Sequence, residues 1–516
     1  MKADTEILVI GSGIGGLSCA ALLASYGFQV TVCESHSIPG GAAHGFERRG
    51  FQFDSGPSLY SGLSYSPSPN PLRQILDAIA EPLPCLPYKT WGCWLPEGHF
   101  DMDVGAEPFL EVLQQMRGDR AVQEWRTLQR VMEPLSKAAI ALPLTAIRFD
   151  PGALLTIGRY APRLLSQLPA LLQVTGSFDR ILNATVQDPF IRNWLNLLCF
   201  MLSGLPAAGT STAEIAFMFA DWYRPDVILD YPMGGSAALV NALVRGLEKH
   251  GGKLRLNAHV SEIVVEQGRA AGVRLKNGEI LRAERAVVSN AVIWDTLNLL
   301  PSEHRPDEKN SRGWGDRTQT PACPSFMHLH LGIDATGIDP ALPCHHMIVN
   351  DWERGVTAPQ NVVAVSIPSL LDETLAPPGR QVVHVYTPAT EPYELWQGLD
   401  RSSAAYAELK QSRAEVMWQA LERFIPDIRQ RCEVTLVGTP LTHERFLRRY
   451  RGSYGPALSA QNGLFPSSST PIPGLWCCGD STFPGIGLPA VAASGMIAAN
   501  AIAPLQKHLD LLAKLG

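Results

Sequence analysis

Thr5-Glu6-Ile7-Leu8-Val9-Ile10-Gly11-Ser12-Gly13-Ile14-Gly15-Gly16 decides the fold class. Thr5 to Ile10 reads as a short buried strand. Leu17 to Tyr26 has helical composition, and Phe28 to Cys33 alternates as a second strand, so the segment predicts a βαβ unit. The turn between strand and helix matches G-x-G-x-x-G. Gly11 permits the tight turn, Gly13 lets backbone approach a pyrophosphate, and Gly16 lets helix and strand pack closely. A diphosphate then meets the free N–H groups and the positive dipole at the helix start, next to Ser12, Ile14 and Gly15. Glu34, 18 residues past Gly16, ends the second strand, where a carboxylate can accept hydrogen bonds from ribose hydroxyls. An acid there disfavours a 2′-phosphate and excludes NADP.

A longer ligand than NAD is indicated by what surrounds this unit. Ser35, then Gly40-Gly41-Ala42, then Gly56-Pro57-Ser58 supply further backbone to it. Near the other end of the chain an apolar strand closes on Gly479-Asp480, and Phe483-Pro484-Gly485-Ile486-Gly487-Leu488 opens an alanine-rich helix that includes Ala490. An Asp at that point can hold a ribityl chain, and the helix start can face the pyrimidine edge of a flavin. FAD is therefore the expected cofactor, with Val260 and Asn290 from the middle of the chain completing its cradle.

Between these ends the pattern is mixed α/β and discontinuous. Lys253–Leu256, His259–Glu266, Ala271–Leu275, Glu279–Arg282 and Ala286–Ser289 read as strands, with Asn277-Gly278 as a type I′ hairpin turn. Residues 108–221 are helical in pattern. Ser325–Gly332, Asn361–Ile367 and Gln381–Thr387 read as strands, and Arg401–Phe424 as a long helix. The expected division is a discontinuous Rossmann-like FAD-binding domain from 1–84, 230–312 and 440–516. A mixed α/β substrate-binding lobe comes from 85–229 and 313–439, with a helical, membrane-facing part near 108–221.

At 516 residues, two or three cooperating domains are expected. A net charge of −6 gives no reason to expect nucleic acid as a partner. The 10 cysteines form no C-x-x-C and suit buried free thiols in a reducing compartment. The first residues run straight into a strand without a signal or transit peptide, as in a bacterial-type or mature plastid protein. The apolar run from Gly485 to Leu505 is broken by Pro489, Ser494 and Asn500, so membrane contact is expected to be peripheral, on the cytoplasmic side. The sequence carries no signal for oligomeric state.

The N-terminal fingerprint, Pro39-Gly40-Gly41 and Gly479-Asp480 together resemble the bacterial-type phytoene desaturase superfamily of flavoproteins, and within it the carotenoid cis–trans isomerases. The likeness runs over essentially the whole chain. It includes Tyr231-Pro232-Met233-Gly234-Gly235, Trp294-Asp295-Thr296, Cys344-His345-His346 and Gly452-Ser453-Tyr454-Gly455-Pro456. It departs where those isomerases carry Gly-Gln-Gly and this chain has Gly485-Ile486-Gly487. The resemblance implies a two-lobed enzyme, peripheral to membranes, that isomerises a poly-cis carotene on reduced FAD. Desaturation, saturation or hydration of a polyene, or carotenoid binding without catalysis, are the other activities of that kind.

Three further groups of residues carry weighed expectations. His328 and His330 share a strand face with His345-His346 nearby, but no carboxylate pattern supports ligation and no metal is expected. Pro151 to Phe178 holds Arg159, Arg163, seven leucines and no acid, and is expected to lie on a bilayer surface. Phe190 to Leu205 is either buried core or the lining of a polyene tunnel. Glu444, Tyr454 and Asp295 lie in segments able to approach the flavin ring and are the candidate catalytic side chains.

Overall fold

The computed structural model describes residues 3–224, 226–306, 314, 317, 319–463 and 465–515. The expected domain boundary at 312/313 falls outside them. Two seven-stranded sheets organise the described residues.

The first sheet assembles around Thr5–Ile10, which pairs in parallel with Val30–Cys33 on one side and with the end of Ile280–Ser289 on the other. Lys253–Arg255 extends it beyond Val30–Cys33, and Leu475–Cys477 runs parallel to residues 287–289. Segments that lie hundreds of residues apart in sequence thus share one parallel sheet. The Glu279–Arg282 and Ala286–Ser289 strands of the sequence reading are one strand. Its first part pairs antiparallel with Arg269–Leu275 and its second part joins the parallel set. The turn between them is not type I′. Of Asn277 and Gly278 only Gly278 has positive φ (89°), and its N–H donates to Leu275 O while Leu275 N–H donates to Glu279 O. That is a type I turn followed by a left-handed glycine, the three-residue hairpin loop.

Helix Ile14–Ser25 is buried on every side, so its alanines and glycines serve close packing. Helix Leu488–Ile502 crosses it where a Cβ on Gly495 would stand 2.2 Å from Gly15 O. The third glycine of the fingerprint has the role expected for it, since a Cβ on Gly16 would lie 2.2 Å from Gly11 O.

The second sheet runs Cys432–Gly438, Ser325–Asp334, Arg380–Glu391, Val362–Ser366, His345–Val349, Thr90–Leu95, Gly98–Asp103. Helix Ala404–Glu422 contributes Met417, Ala420 and Leu421 to a core with Met327, Leu329 and Leu331 on one face of this sheet. The other face looks toward the first domain. The helical stretch resolves into Ala106–Arg117, Asp119–Ala139, three short helices at 153–174, Asp179–Thr185, Pro189–Ser203 and Thr212–Trp222. No helix among the described residues is long and apolar enough to cross a membrane.

Gly495 is where the helix crossing has no room for a side chain. Gly495→Ala should lower stability by about 1–3 kcal/mol through overpacking, read as a lower denaturant midpoint. An unchanged midpoint would mean that the two helices separate at no cost.

Candidate active site

A cavity of about 1260 Å³ runs between the two sheets, larger than the roughly 300–1,000 Å³ of a single-ligand pocket. One end is built from the fingerprint. Gly11, Gly13, Ile14 and Gly15 line it, with Glu34, Ser35, Gly40, Gly41, Ala42, Gly56, Pro57 and Ser58. Val260, Asn290, Gly479, Asp480, Gly487 and Leu488 complete that end. Ser12, Gly16 and Ala490, also expected at the cofactor, do not line the cavity. Ser12 is fully buried behind the turn, and Gly16 serves the helix–strand contact.

Glu34 is held within the protein. Ser12 N–H and Ser12 Oγ–H donate to Glu34 Oε2 at 2.8 and 2.6 Å, and His36 N–H donates to Oε1 at 2.8 Å. The carboxylate borders the cavity and is already the clasp that holds the fingerprint turn.

The cradle fits a dinucleotide by the space that it leaves. A Cβ on Gly13 would come within 2.7 Å of Asn290 Nδ2, one on Gly15 within 2.7 Å of Asn290 Oδ1, and one on Gly41 within 3.0 Å of Gly13 Cα. Bare backbone is therefore packed around one amide side chain, with peptide N–H groups free for phosphate oxygens.

The three candidate catalytic residues separate. Glu444 does not line the cavity: the Tyr393 hydroxyl donates to both of its oxygens, at 3.0 and 3.1 Å. The helix Pro440–Leu447 turns Glu444 outward and His443 inward, a difference of one position that the sequence pattern does not resolve. Tyr454 lines the cavity edge-on to Phe326, ring centroids 5.1 Å apart, and burial pushes its hydroxyl well above the usual range, so it stays protonated. Asp295 also lines the cavity and accepts from Tyr450 N–H at 2.8 Å. Burial raises its carboxyl to about 6; the Tyr450 N–H and Arg449 oppose the rise, and the charges of Asp480 and Glu444 add to it.

Arg449, absent from the sequence reading, ties this corner together. Its guanidinium pairs with Asp480 and donates to Ser453 O and Tyr454 O. The run Arg448-Arg449-Tyr450-Arg451 was the available signal. Helix Pro189–Ser203 answers both of its readings. Leu198, Phe200, Met201 and Leu202 line the cavity, whereas Trp194 is in the core against Trp91 and Phe109. Ile486, the departure from Gly-Gln-Gly, is on the cavity wall. The sequence neighbours His345 and His346 lie elsewhere, against Tyr88 and Phe424. His384 joins His328 and His330 instead, each offering a ring nitrogen within 4.8 Å of the others. Eight of the ten cysteines are buried and all are free thiols.

The profile of flavin-containing amine oxidoreductases matches residues 14–503. The chain belongs to that family, within the phytoene desaturase superfamily of flavoproteins. It is 33% identical over 507 residues to prolycopene isomerase 2, chloroplastic, of an Oncidium hybrid cultivar, covering 97% of this chain and 84% of the relative. A neurosporene-forming phytoene desaturase of Cereibacter sphaeroides is 29% identical over 528 residues, covering 96% and 93%. The crystal structure of an oxidoreductase from Methanosarcina mazei shares the fold, with TM-score 0.61 at 19% identity over 95% of this chain and 98% of that one. This family member is an FAD-dependent enzyme of the oxidoreductase type.

Because the Asp295 carboxyl is raised from 3.8 to about 6, the folded protein binds more protons than the unfolded chain in that window. The stability from its protonated form is complete below about pH 4 and is lost as pH rises through about 6. Asp295→Asn keeps an acceptor for Tyr450 N–H and does not titrate. Its stability relative to wild type should therefore rise between about pH 4 and 6 and level off above that, by about 1–2 kcal/mol for this half-buried group. Parallel stability–pH curves for the two proteins would refute the assignment.

Proposed function

We propose that this flavoprotein converts a poly-cis carotene to a straighter isomer. The observation that carries the reading is the 33% identity to a prolycopene isomerase across 97% of the chain, above the 29% to a phytoene desaturase. The cavity supports it. Beyond the cofactor end its wall is apolar, with Leu198, Phe200, Met201, Leu202, Met218 and Trp222 on one side and Phe326 and Tyr454 on another. A conjugated hydrocarbon gains by leaving water for such a wall, and parallel contacts along its length fix which double bond faces the cofactor end.

Gly13, Gly15, Gly40, Gly41 and Asp480 are placed to hold FAD, whose ring supplies reversible electron exchange with a conjugated chain when bound. The chain's own residues position the polyene and exclude water, and Tyr454 keeps its proton. Isomerisation adds and removes no atoms, so it requires no acid or base of set pKa, which suits the apolar side chains beyond the cofactor end. Desaturation is the second reading, carried by the 29% identity to a phytoene desaturase over 96% of the chain.

We also infer that the enzyme docks on a membrane through residues 149–174. Leu154 is 82%, Leu165 70% and Leu172 75% exposed, and these helices frame an apolar groove of about 320 Å³. Arg159 and Arg163 are exposed among them with no salt bridge to any described residue. Phe149 packs edge-on against Phe483, ring centroids 6.0 Å apart, three residues before the cavity-lining Ile486. A lipid-soluble substrate would then enter from the bilayer at that edge.

In an anaerobic assay with a poly-cis carotene, reduced FAD and liposomes, the product should equal the substrate in mass and accumulate over many turnovers per flavin. A product two hydrogens lighter, formed with stoichiometric consumption of an acceptor, would establish a desaturase. One two hydrogens heavier means a saturase, and one heavier by a water a hydratase. Wild-type protein should float with anionic liposomes, and Leu154→Asp with Leu172→Asp should leave it in the soluble fraction. Wild type that stays at the bottom of the gradient removes the docking surface.

A further inference from the structure

The second sheet turns a row of histidines toward the cavity that isomerisation of a hydrocarbon leaves unused. His328 and His330 alternate on Ser325–Asp334 and so share a face. The antiparallel register sets His330 opposite His384, and His328 opposite Tyr386. All three histidines are buried, at 3%, 7% and 1% exposure, and His328 and His330 line the cavity.

Burial holds all three imidazoles below their usual range, so each is neutral, with one N–H and one lone pair. The tautomer of His330 is fixed by its neighbour. Its Nε2 lies 3.1 Å from the Asp54 carbonyl oxygen; a carbonyl only accepts, so the proton is on Nε2 and the lone pair on Nδ1. His328 Nδ1 and His384 Nε2 are 2.7 Å apart, and one donates to the other. Among the described residues that leaves His328 Nε2 and the buried His384 Nδ1 without a protein partner.

Distance alone admits a metal ion here. The ring planes do not: they are parallel to within 6–10°, and the His328–His384 hydrogen bond occupies a lone pair that a metal needs. Nitrogens of parallel rings do not converge on one tetrahedral centre. The cluster is built for hydrogen bonding, and a hydrocarbon offers it nothing.

We propose that this histidine wall receives a hydroxyl group, so that among the polyenes the enzyme takes it prefers one that carries an alcohol over the bare carotene. The inference rests on the polyene reading above. A hydroxyl both donates and accepts. It can donate to the fixed lone pair of His330 Nδ1, and it suits His328 Nε2 in either tautomer of the His328–His384 pair. A carbonyl or ether oxygen cannot donate to His330. One oxygen that makes two hydrogen bonds of about 2.8 Å spans nitrogens roughly 4.6 Å apart, and the His328 and His330 rings that would flank it stand with centroids 5.7 Å apart and planes within 6° of parallel.

The test titrates FAD-loaded enzyme in neutral detergent micelles with lycopene, its monohydroxylated derivative and the methyl ether of that alcohol, reading the change in flavin absorbance. The alcohol should bind about tenfold tighter than lycopene, the yield of one net hydrogen bond, and the ether should lose that gain. His330→Leu and, separately, His328→Leu should reduce the preference to below about threefold with FAD content unchanged. Equal binding of alcohol and lycopene to the wild type overturns the proposal, as does a preference that the ether shares or that both variants keep. A flavin-loaded enzyme that binds none of the three defeats the polyene reading itself; one that binds all three alike defeats the hydroxyl assignment alone.

Discussion

Everything in the cofactor half depends on how closely bare backbone can approach the side chain of Asn290. Its amide is wedged among Gly11, Gly13, Gly15 and Gly479, with positions for added Cβ atoms between 2.7 and 3.7 Å away, and its own N–H donates to Ile10 O. Three parts of the chain that are remote in sequence meet on this one residue. A methyl group at Gly13, Gly15 or Gly479 would displace it, and with it the crossing of strand, turn and helix. The glycines are therefore a packing requirement of the protein before any ligand arrives, and the same shortage of side chains leaves peptide groups open to phosphate.

The two sheets divide the chemistry between them. The first offers backbone, with charge confined to a few paired groups: Glu34 clasping Ser12, and Asp480 held by Arg449. The second offers side chains on a rigid face, aromatic at Phe326 and Tyr386 and imidazole between them. Asp54 joins the two. Its carboxylate accepts from Tyr231 and Ser236, its carbonyl from His330. The Tyr231–Gly235 motif and the Phe53-Asp54-Ser55 segment, far apart in sequence, thus form one structural joint.

What was legible in the sequence was local or strongly patterned. The βαβ unit, the roles of Gly11 and Gly16, the helical stretch and the long 404–422 helix follow from periodicity and turn chemistry within short windows. The details that escaped depend on register between distant strands. His384 joins His328 and His330 only because Arg380–Glu391 pairs antiparallel with Ser325–Asp334, whereas the adjacent His345 and His346 were the nearer sequence neighbours. Glu444 and His443 differ by one helical position, below what an eight-residue helix reveals by pattern. Asn277-Gly278 signalled a hairpin correctly but not its loop length, which is set by how the flanking strands register.

The parallel pairing of Thr5–Ile10 with residues 283–289 has a consequence for biosynthesis. At roughly 5–20 residues per second, this apolar first strand leaves the ribosome about a quarter of a minute to a minute before its inner neighbour exists, and Leu475–Cys477 follows later still. Until then one edge of the βαβ unit is an unpaired row of peptide groups beside an apolar surface, the arrangement that templates aggregation. The nascent chain is thus a natural client for a chaperone that shields apolar strands.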